Sequence, residues 1–341
     1  MELNKLAEYI SIPLPTAWEH CYEAAMAQYR ADWLEDYDFE GILDYYEFSE
    51  DYYKPRLRQE VALLKQDETL NRICWLMHYI LFYGENADFL SIWSWGKGVN
   101  KLFAEHGSPT TCVVAALTGQ AIHARNMAER GFDEEQIKIH KAGVQRCWVG
   151  QREEYGVDGV SFGLMVWMGY FMRCHLVRLG RLQYECGLKH FGKYDHLFEG
   201  EPVYIYIHIP PADNGLQDDE VEASIRLAQE KLERYYPQVA GKTVVFCTNT
   251  WLLSPQLREI LKPGSNIIKF QDRFNITEFS DGTGPFLNFG FKRGFRNRKL
   301  FCRSVYIRIF GFEGGWNGRV RLKFIFGLDR CRFFCFFKGV V

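Results

Sequence analysis

The sequence of 341 residues contains no C-x-x-C pair, no Walker-type glycine loop, no G-x-S-x-G elbow and no dinucleotide fingerprint. P-loop chemistry, an α/β-hydrolase nucleophile and a Rossmann cofactor site therefore have no support. Charge of one sign is also lacking. Lys plus Arg (41) nearly balance Asp plus Glu (43), and the formal charge of -2 exerts no overall pull toward nucleic acid or an anionic membrane. Long apolar runs are missing too. Ile73 to Tyr83 is too short to span a bilayer, and Phe162 to Val177 contains Arg173, His175 and two glycines, so both fit buried core helices. The start of the chain shows no basic segment followed by an apolar stretch and a small-residue cleavage site. The ten cysteines are scattered singly, as in a reduced protein, and the expected setting is the cytoplasm.

What is present begins as helix. From Thr16 to about Tyr155 apolar positions recur every three or four residues, with punctuation typical of helix ends. A first helix is expected over Trp18 to Asp32, a second segment over Arg56 to Tyr83 closed by Gly84, and another carrying Ala115 to Arg130 ended by Gly131. Asp133-Glu134-Glu135 supplies an acidic first turn of the kind the helix dipole favours. The acids and tyrosines between Glu35 and Asp51 read as a solvated face with aromatics turned inward.

After Arg178 the period changes from helical to alternating. Four extended segments are expected: Leu179 to Glu185, Val203 to Pro210, Thr243 to Cys247, and Asn266 to Phe270, the last opening a strand pair that runs to Phe279. Val203, Ile205, Ile207 and Ile209 take one face of the second segment, and Tyr204, Tyr206 and His208 the other. Pro210-Pro211 stops it, because proline offers no amide to a ladder. Between the second and third segments lies an amphipathic helix, Asp218 to Tyr236, with Val221, Ile225, Ala228 and Leu232 in line, and a short helix follows at Pro255 to Leu261. This order belongs to a ligand-binding α/β module within an α+β chain.

Residues 286–341 break the pattern. Phe, Arg, Lys and Gly crowd together, and Glu313 and Asp329 are the only acids. Arg with Phe would suit phosphate contacts and base stacking. The favoured expectation is instead an atypical tail, poorly ordered or produced by a frame shift near codon 285, so no nucleic-acid partner is expected.

Several spaced motifs resemble a known family. Ile12-Pro13-Leu14-Pro15 with Trp18, Leu179 to Glu185, Ile207-His208-Ile209-Pro210, Trp251-Leu252-Leu253 with Pro255 and Leu257, and Ser265-Asn266-Ile267 with Phe270 are similar to bacterial acyltransferase-domain proteins. These join a helical N-acyltransferase amino-terminal domain to a GNAT-like carboxy-terminal domain. The resemblance implies a helical domain at 1–125 and a GNAT-like mixed α/β sheet domain at 126–285. It also implies transfer of an acyl group from acyl-CoA, acetyl-CoA or longer, to a small-molecule or peptide amine, without a metal and away from membranes. The central strand would be Val203 to Ile209, splayed so that backbone amides bind the pantetheine arm. The helix from Asp218 would face the pyrophosphate. Ile207, Ile209, Asn214, Gly215 and Leu216 would then bind the cofactor. The loop has one glycine, however, and Asp218-Asp219-Glu220 at the helix start repels phosphate. Those acids speak for the alternative, a non-catalytic or degenerate GNAT-like scaffold for protein interaction.

Acyl transfer to an amine needs a base for the attacking nitrogen and an acid for the leaving thiolate. His208, ending the central strand, is the candidate base. Cys247 and Tyr206, with Tyr204 on the same face, are candidate acids, and Cys247 is also a conceivable nucleophile. Arg181 and Glu185 share a face of an extended segment and would shape an acceptor pocket or pair with each other. Asn249 and Trp251 follow the third strand, where substrate-facing groups belong. His190 with His196, and Cys331 with Cys335, give no credible metal site.

Overall fold

A computed structural model describes residues 16–49, 51–84, 102–103, 105–156, 158–160, 162–189, 195, 198, 202–210, 214–255, 257–274 and 306–311. The chain divides into two compact units, Met1–His175 and Leu176–Val341.

The first unit is helical among its described residues: α1 (Thr16–Gln28), a 3-10 turn (Trp33–Asp36), α2 (Phe39–Tyr45), α3 (Tyr53–Gln66), α4 (Glu68–Tyr83), α5 (Thr111–Leu117), α6 (Gln120–Glu129), α7 (Glu134–Tyr155) and α8 (Phe162–Met172). The single segment expected over Arg56 to Tyr83 is two helices. Asp67 breaks it with extended backbone (φ -106, ψ 98) and caps α4 by accepting the Leu70 amide at 3.1 Å. Asp133 caps α7 in the same way, accepting the Gln136 amide at 2.9 Å, and Gly156 closes that helix at φ 64. Helix α5 is buried at every position, so its run of Val113, Val114, Ala115 and Ala116 forms the centre of the unit. It packs against α4 and α8, and α8 packs in turn on α6 and α7. A division at 125/126 would separate α7 and α8 from these partners, so by its contacts the first unit extends to His175.

The second unit is a five-stranded sheet in the order β1-β2-β3-β4-β5, with β1 Leu176–Leu179, β2 Leu182–Lys189, β3 Pro202–His208, β4 Thr243–Thr250 and β5 Tyr306–Gly311. Helices α9 (Asp218–Tyr235), α10 (Leu257–Ile260) and α11 (Asn266–Asp272) accompany it. Pairing is antiparallel except for β3 with β4, which are joined through α9. The expected strand Leu179 to Glu185 is a correction: it is a hairpin whose turn is Gly180-Arg181, with Gly180 at φ 66 supplying the conformation a tight connection needs. Helix α9 lays Val221, Ile225, Ala228 and Leu232 inward, as its stripe predicts. Ser224 on α9 accepts the Leu182 amide at 3.1 Å and meets the Tyr184 hydroxyl at 3.1 Å, tying α9 to β2.

A second correction concerns Asn266 to Phe270, which is helix rather than strand. The β-branched pair Ile267-Ile268 suggests a strand, but burial falls on Ile268, Gln271, Phe270 and Phe274, a spacing of three and four. Packing of α11 on α9 therefore overrides local preference. Of the atypical tail, Tyr306–Gly311 pairs with β4 and continues the sheet, while the rest lies outside the described residues, as does the second member of the expected strand pair.

Candidate functional site

Parallel pairing of β3 with β4 runs from Pro202↔Thr243 to Tyr206↔Cys247 and stops there among the described residues. Strand β3 continues to His208, and β4 continues to Thr250 alongside β5. The two strands thus share a ladder at their starts and lose it at their carboxyl ends, where parallel sheets place ligands. On the far side, β3 stays paired with β2 through Gln183↔His208 and Glu185↔Tyr206.

Residues directly opposite in a sheet share a face, so one face collects Gln183, Glu185, Tyr204, Tyr206, His208 and Cys247. His208 Nε2 lies 2.8 Å from Glu185 Oε2. The Glu185 side chain is 4% exposed and that of His208 28%, so a buried carboxylate holds a ring that reaches solvent. The Tyr206 ring lies nearly parallel to the imidazole at 6.3 Å, half-buried. The Tyr204 hydroxyl donates to Asp195 at 2.7 Å. Cys247 is fully buried in a cluster with Tyr204 and Val245, and its thiol donates to the Ile205 carbonyl at 3.6 Å. That environment is one of core packing.

Arg181 and Glu185, expected to share an extended face, go to different partners because Arg181 occupies the hairpin turn. Its Nε donates to the Gly215 carbonyl at 2.8 Å and its Nη1 to the Pro210 carbonyl at 2.7 Å. One buried guanidinium therefore ties both ends of the connection from β3 to α9. Within that connection Gly215 has φ 73, and a β-carbon there would meet only open space. Gln217 donates to the Asn214 carbonyl at 2.6 Å, Asn214 donates to Glu220 at 2.6 Å, and Leu216 is buried. Asn266 donates to Gln217 at 2.9 Å. A cleft of about 340 Å³ opens beside this connection, lined by Arg178, Gly180, Asn214, Glu220, Ser224 and Leu227.

Of the acids at the start of α9, Asp218 is compensated, as is Glu222 one turn further on. Arg273 donates to Asp218 at 2.7 Å and also pairs with Glu222, and Lys269 lies 3.7 Å from Asp218. The hydrogen bond from Arg273 holds the Asp218 carboxyl below the usual carboxylate range. Repulsion of a phosphate at this helix end is correspondingly weaker than the bare sequence implies. Ile207 is buried in β3, and Ile209 follows it, half-buried. The side chains of Asn249 and Trp251, and the residues His190, His196, Cys331 and Cys335, lie outside the described residues.

Two features escaped the sequence. The Glu185–His208 pair needed strand register, although the common parity of Gln183 and Glu185 was a usable signal. The Arg273 clamp joins positions 55 residues apart and left no local trace.

Residues 176–301 match the family model described as a GNAT-like C-terminal domain. An acyltransferase solved in complex with decanoyl-CoA and teicoplanin aligns over 91% of this chain and 99% of its own, at 18% identity and a TM-score of 0.61. The acyltransferase complex with decanoyl-CoA alone gives 18% identity, the same coverage and 0.60. An acyltransferase mutant in complex with octanoyl-CoA aligns over 90% and 99% at 17% identity and 0.60. No curated protein sequence matches the chain. The architecture is thus α+β, a helical amino-terminal part followed by a GNAT-like domain of the kind seen in acyltransferases. No helix among the described residues is long and apolar enough to cross a membrane.

Proposed function

We infer that this chain transfers an acyl group from acyl-CoA to an amine on a small-molecule or peptide acceptor. The observation that carries the reading is the early end of the β3/β4 ladder at Tyr206↔Cys247, with the His208–Glu185 pair just beyond it. An extended pantetheine arm would complete the backbone hydrogen bonding that the strands no longer give each other, and the connection held by Arg181 would receive the pyrophosphate at the start of α9. The fold shared with acyltransferases bound to CoA thioesters supports the same donor.

Glu185 orients the imidazole. With Nε2–H donated to Glu185, Nδ1 is the atom that takes the proton from the attacking amine. The amine nitrogen forms the new bond to the thioester carbonyl carbon, the carbon–sulfur bond breaks, and the thiolate leaves as CoA after protonation. Tyr206, stacked on the ring, is the proton donor in this scheme; Tyr204 is engaged with Asp195, and Cys247 is closed off. Compensation of Asp218 by Arg273 and Lys269, with Glu222 also held by Arg273, weakens one reason to prefer a non-catalytic scaffold. The helical first unit takes the amino-terminal N-acyltransferase role, and the setting is cytoplasmic.

Thermal-shift titration with CoA, acetyl-CoA and decanoyl-CoA tests the donor, because a ligand that binds only the folded state raises apparent stability. A rise is expected, and none at millimolar ligand would count against the enzyme. His208→Ala is then expected to lower turnover by roughly 10²- to 10⁴-fold with CoA affinity nearly unchanged. Equal turnover removes His208 from the chemistry.

A further inference from the structure

Three helices of the first unit direct His123 (α6), His140 (α7) and Cys174, just past α8, to one buried point. Their ligand-type atoms all lie within 4.8 Å of one another, and all three residues are fully buried. His123 Nδ1 meets the Tyr46 hydroxyl at 2.9 Å, while His123 Nε2 is buried without a hydrogen-bond partner and His140 has the Phe171 backbone beside it but no well-aligned hydrogen bond. Buried polar atoms are almost always satisfied, so an unsatisfied nitrogen on each of two neighbouring imidazoles calls for a group that binds them.

Cys174 adds a second oddity. It occupies the left-handed region at φ 52, a conformation that ordinarily falls to glycine at a helix end. A side chain retained there at a conformational cost, with its sulfur turned into a pair of imidazoles, is explained by use of the thiol.

We propose that His123, His140 and Cys174 form a binding site for a thiophilic divalent transition-metal ion of the zinc class. Two imidazoles and a thiolate are the donor set such an ion prefers, and three protein ligands leave a fourth position for water or a small anion. With Nδ1–H donated to the Tyr46 hydroxyl oxygen, Nε2 of His123 is the ligating atom, as outer partners of metal-binding histidines arrange. A tetrahedral ion holds such atoms about 3.5 Å apart, so the side chains close by up to about 1 Å around it. Arg130 lies beside Cys174 and Lys141 near His123. Burial pushes the Cys174 thiol up to about 12 and Arg130 offsets only part of this, so the thiol gives up its proton as the ion binds, and the thiolate then offsets one of the ion's two charges. The ion would join α6, α7 and the end of α8.

The site is independent of the acyl-transfer reading and is tested without activity. Full-length protein is stripped with chelator and titrated with Zn²⁺, and with Co²⁺ as a spectroscopic probe. One equivalent bound per chain, a raised melting temperature, proton release and a sulfur-to-cobalt charge-transfer band are expected. Cys174→Ala should remove the band and weaken Zn²⁺ binding at least 100-fold. His140→Phe, which keeps the aromatic packing against Phe132 and Phe171, should weaken binding similarly. Should either variant fail to fold, stoichiometry and the cobalt spectrum of the unmodified chain still decide. Absence of binding at micromolar metal, or binding equal in all three proteins, overturns the site.

Discussion

Replacing Arg181 separates a structural turn from a cofactor-binding device. Its two bonds, to Gly215 at 2.8 Å and to Pro210 at 2.7 Å, come from a residue only 8% exposed. Hydrogen bonds to a charged group contribute about 1.5–3 kcal/mol each, and water recovers part of this when they are lost, so Arg181→Ala is expected to cost the ordered loop roughly 3 kcal/mol. Only the ordered loop binds pyrophosphate in this account, and apparent affinity falls with the competent fraction. At 1.4 kcal/mol per tenfold, the CoA dissociation constant rises by up to about 100-fold. Arg181→Lys, which replaces the fork by a single ammonium, should give an intermediate loss of about tenfold. Isothermal titration with CoA reads the effect, and turnover at saturating acyl-CoA should stay within a few-fold of the original. An unchanged dissociation constant would refute the argument, and lost turnover with intact CoA affinity would move Arg181 to the acceptor side.

Other consequences follow from buried groups. Burial pushes His78 down from 6.5 to about 4. Its neutral form is favoured in the folded state, so this stability is present above pH 6.5 and lost as pH falls toward 4, amounting to about 2 kcal/mol by about pH 5. Urea midpoints at neutral pH and at about pH 5 should differ accordingly, and His78→Gln should shrink the difference. The Glu60 carboxylate is buried and accepts from the hydroxyls of Ser108, Thr110 and Thr111, with Arg56 3.6 Å away. Glu60→Ala strands those partners and should cost about 3–5 kcal/mol, seen as a drop of roughly 10 °C in calorimetry. Glu185→Gln removes the charge that orients His208 and should lower turnover about 10- to 100-fold while the CoA dissociation constant is unchanged.

Much of the fold was legible because periodicity reports burial directly. The alternation of Val203 to Ile209 and the stripe of α9 both gave the right element and the right face. Misreadings fell where one residue type served two purposes. Gly180-Arg181 looked like part of a strand because Leu179 and Leu182 flank it, yet a single glycine with positive φ makes it a turn. Ile267-Ile268 prefers strand locally and is overruled by packing on α9. At the site, His208 was visible as a strand-ending histidine. Its partner was not, because Glu185 belongs to it only through the β2/β3 register. Asp218 and Glu222 of α9 looked unopposed for the same reason, since Arg273 reaches them only in three dimensions.

Hydrogen exchange with and without decanoyl-CoA tests the opening between β3 and β4 most directly. Those amides of Ile207 to Ile209 and of Thr248 to Thr250 that point into the β3/β4 gap rather than to β2 or β5, together with those from Leu216 to Glu220, should gain protection on ligand addition, while Val203 to Ile205 are protected throughout. Full protection of the gap-facing amides in the ligand-free protein, unaltered at saturating decanoyl-CoA, would contradict the opening.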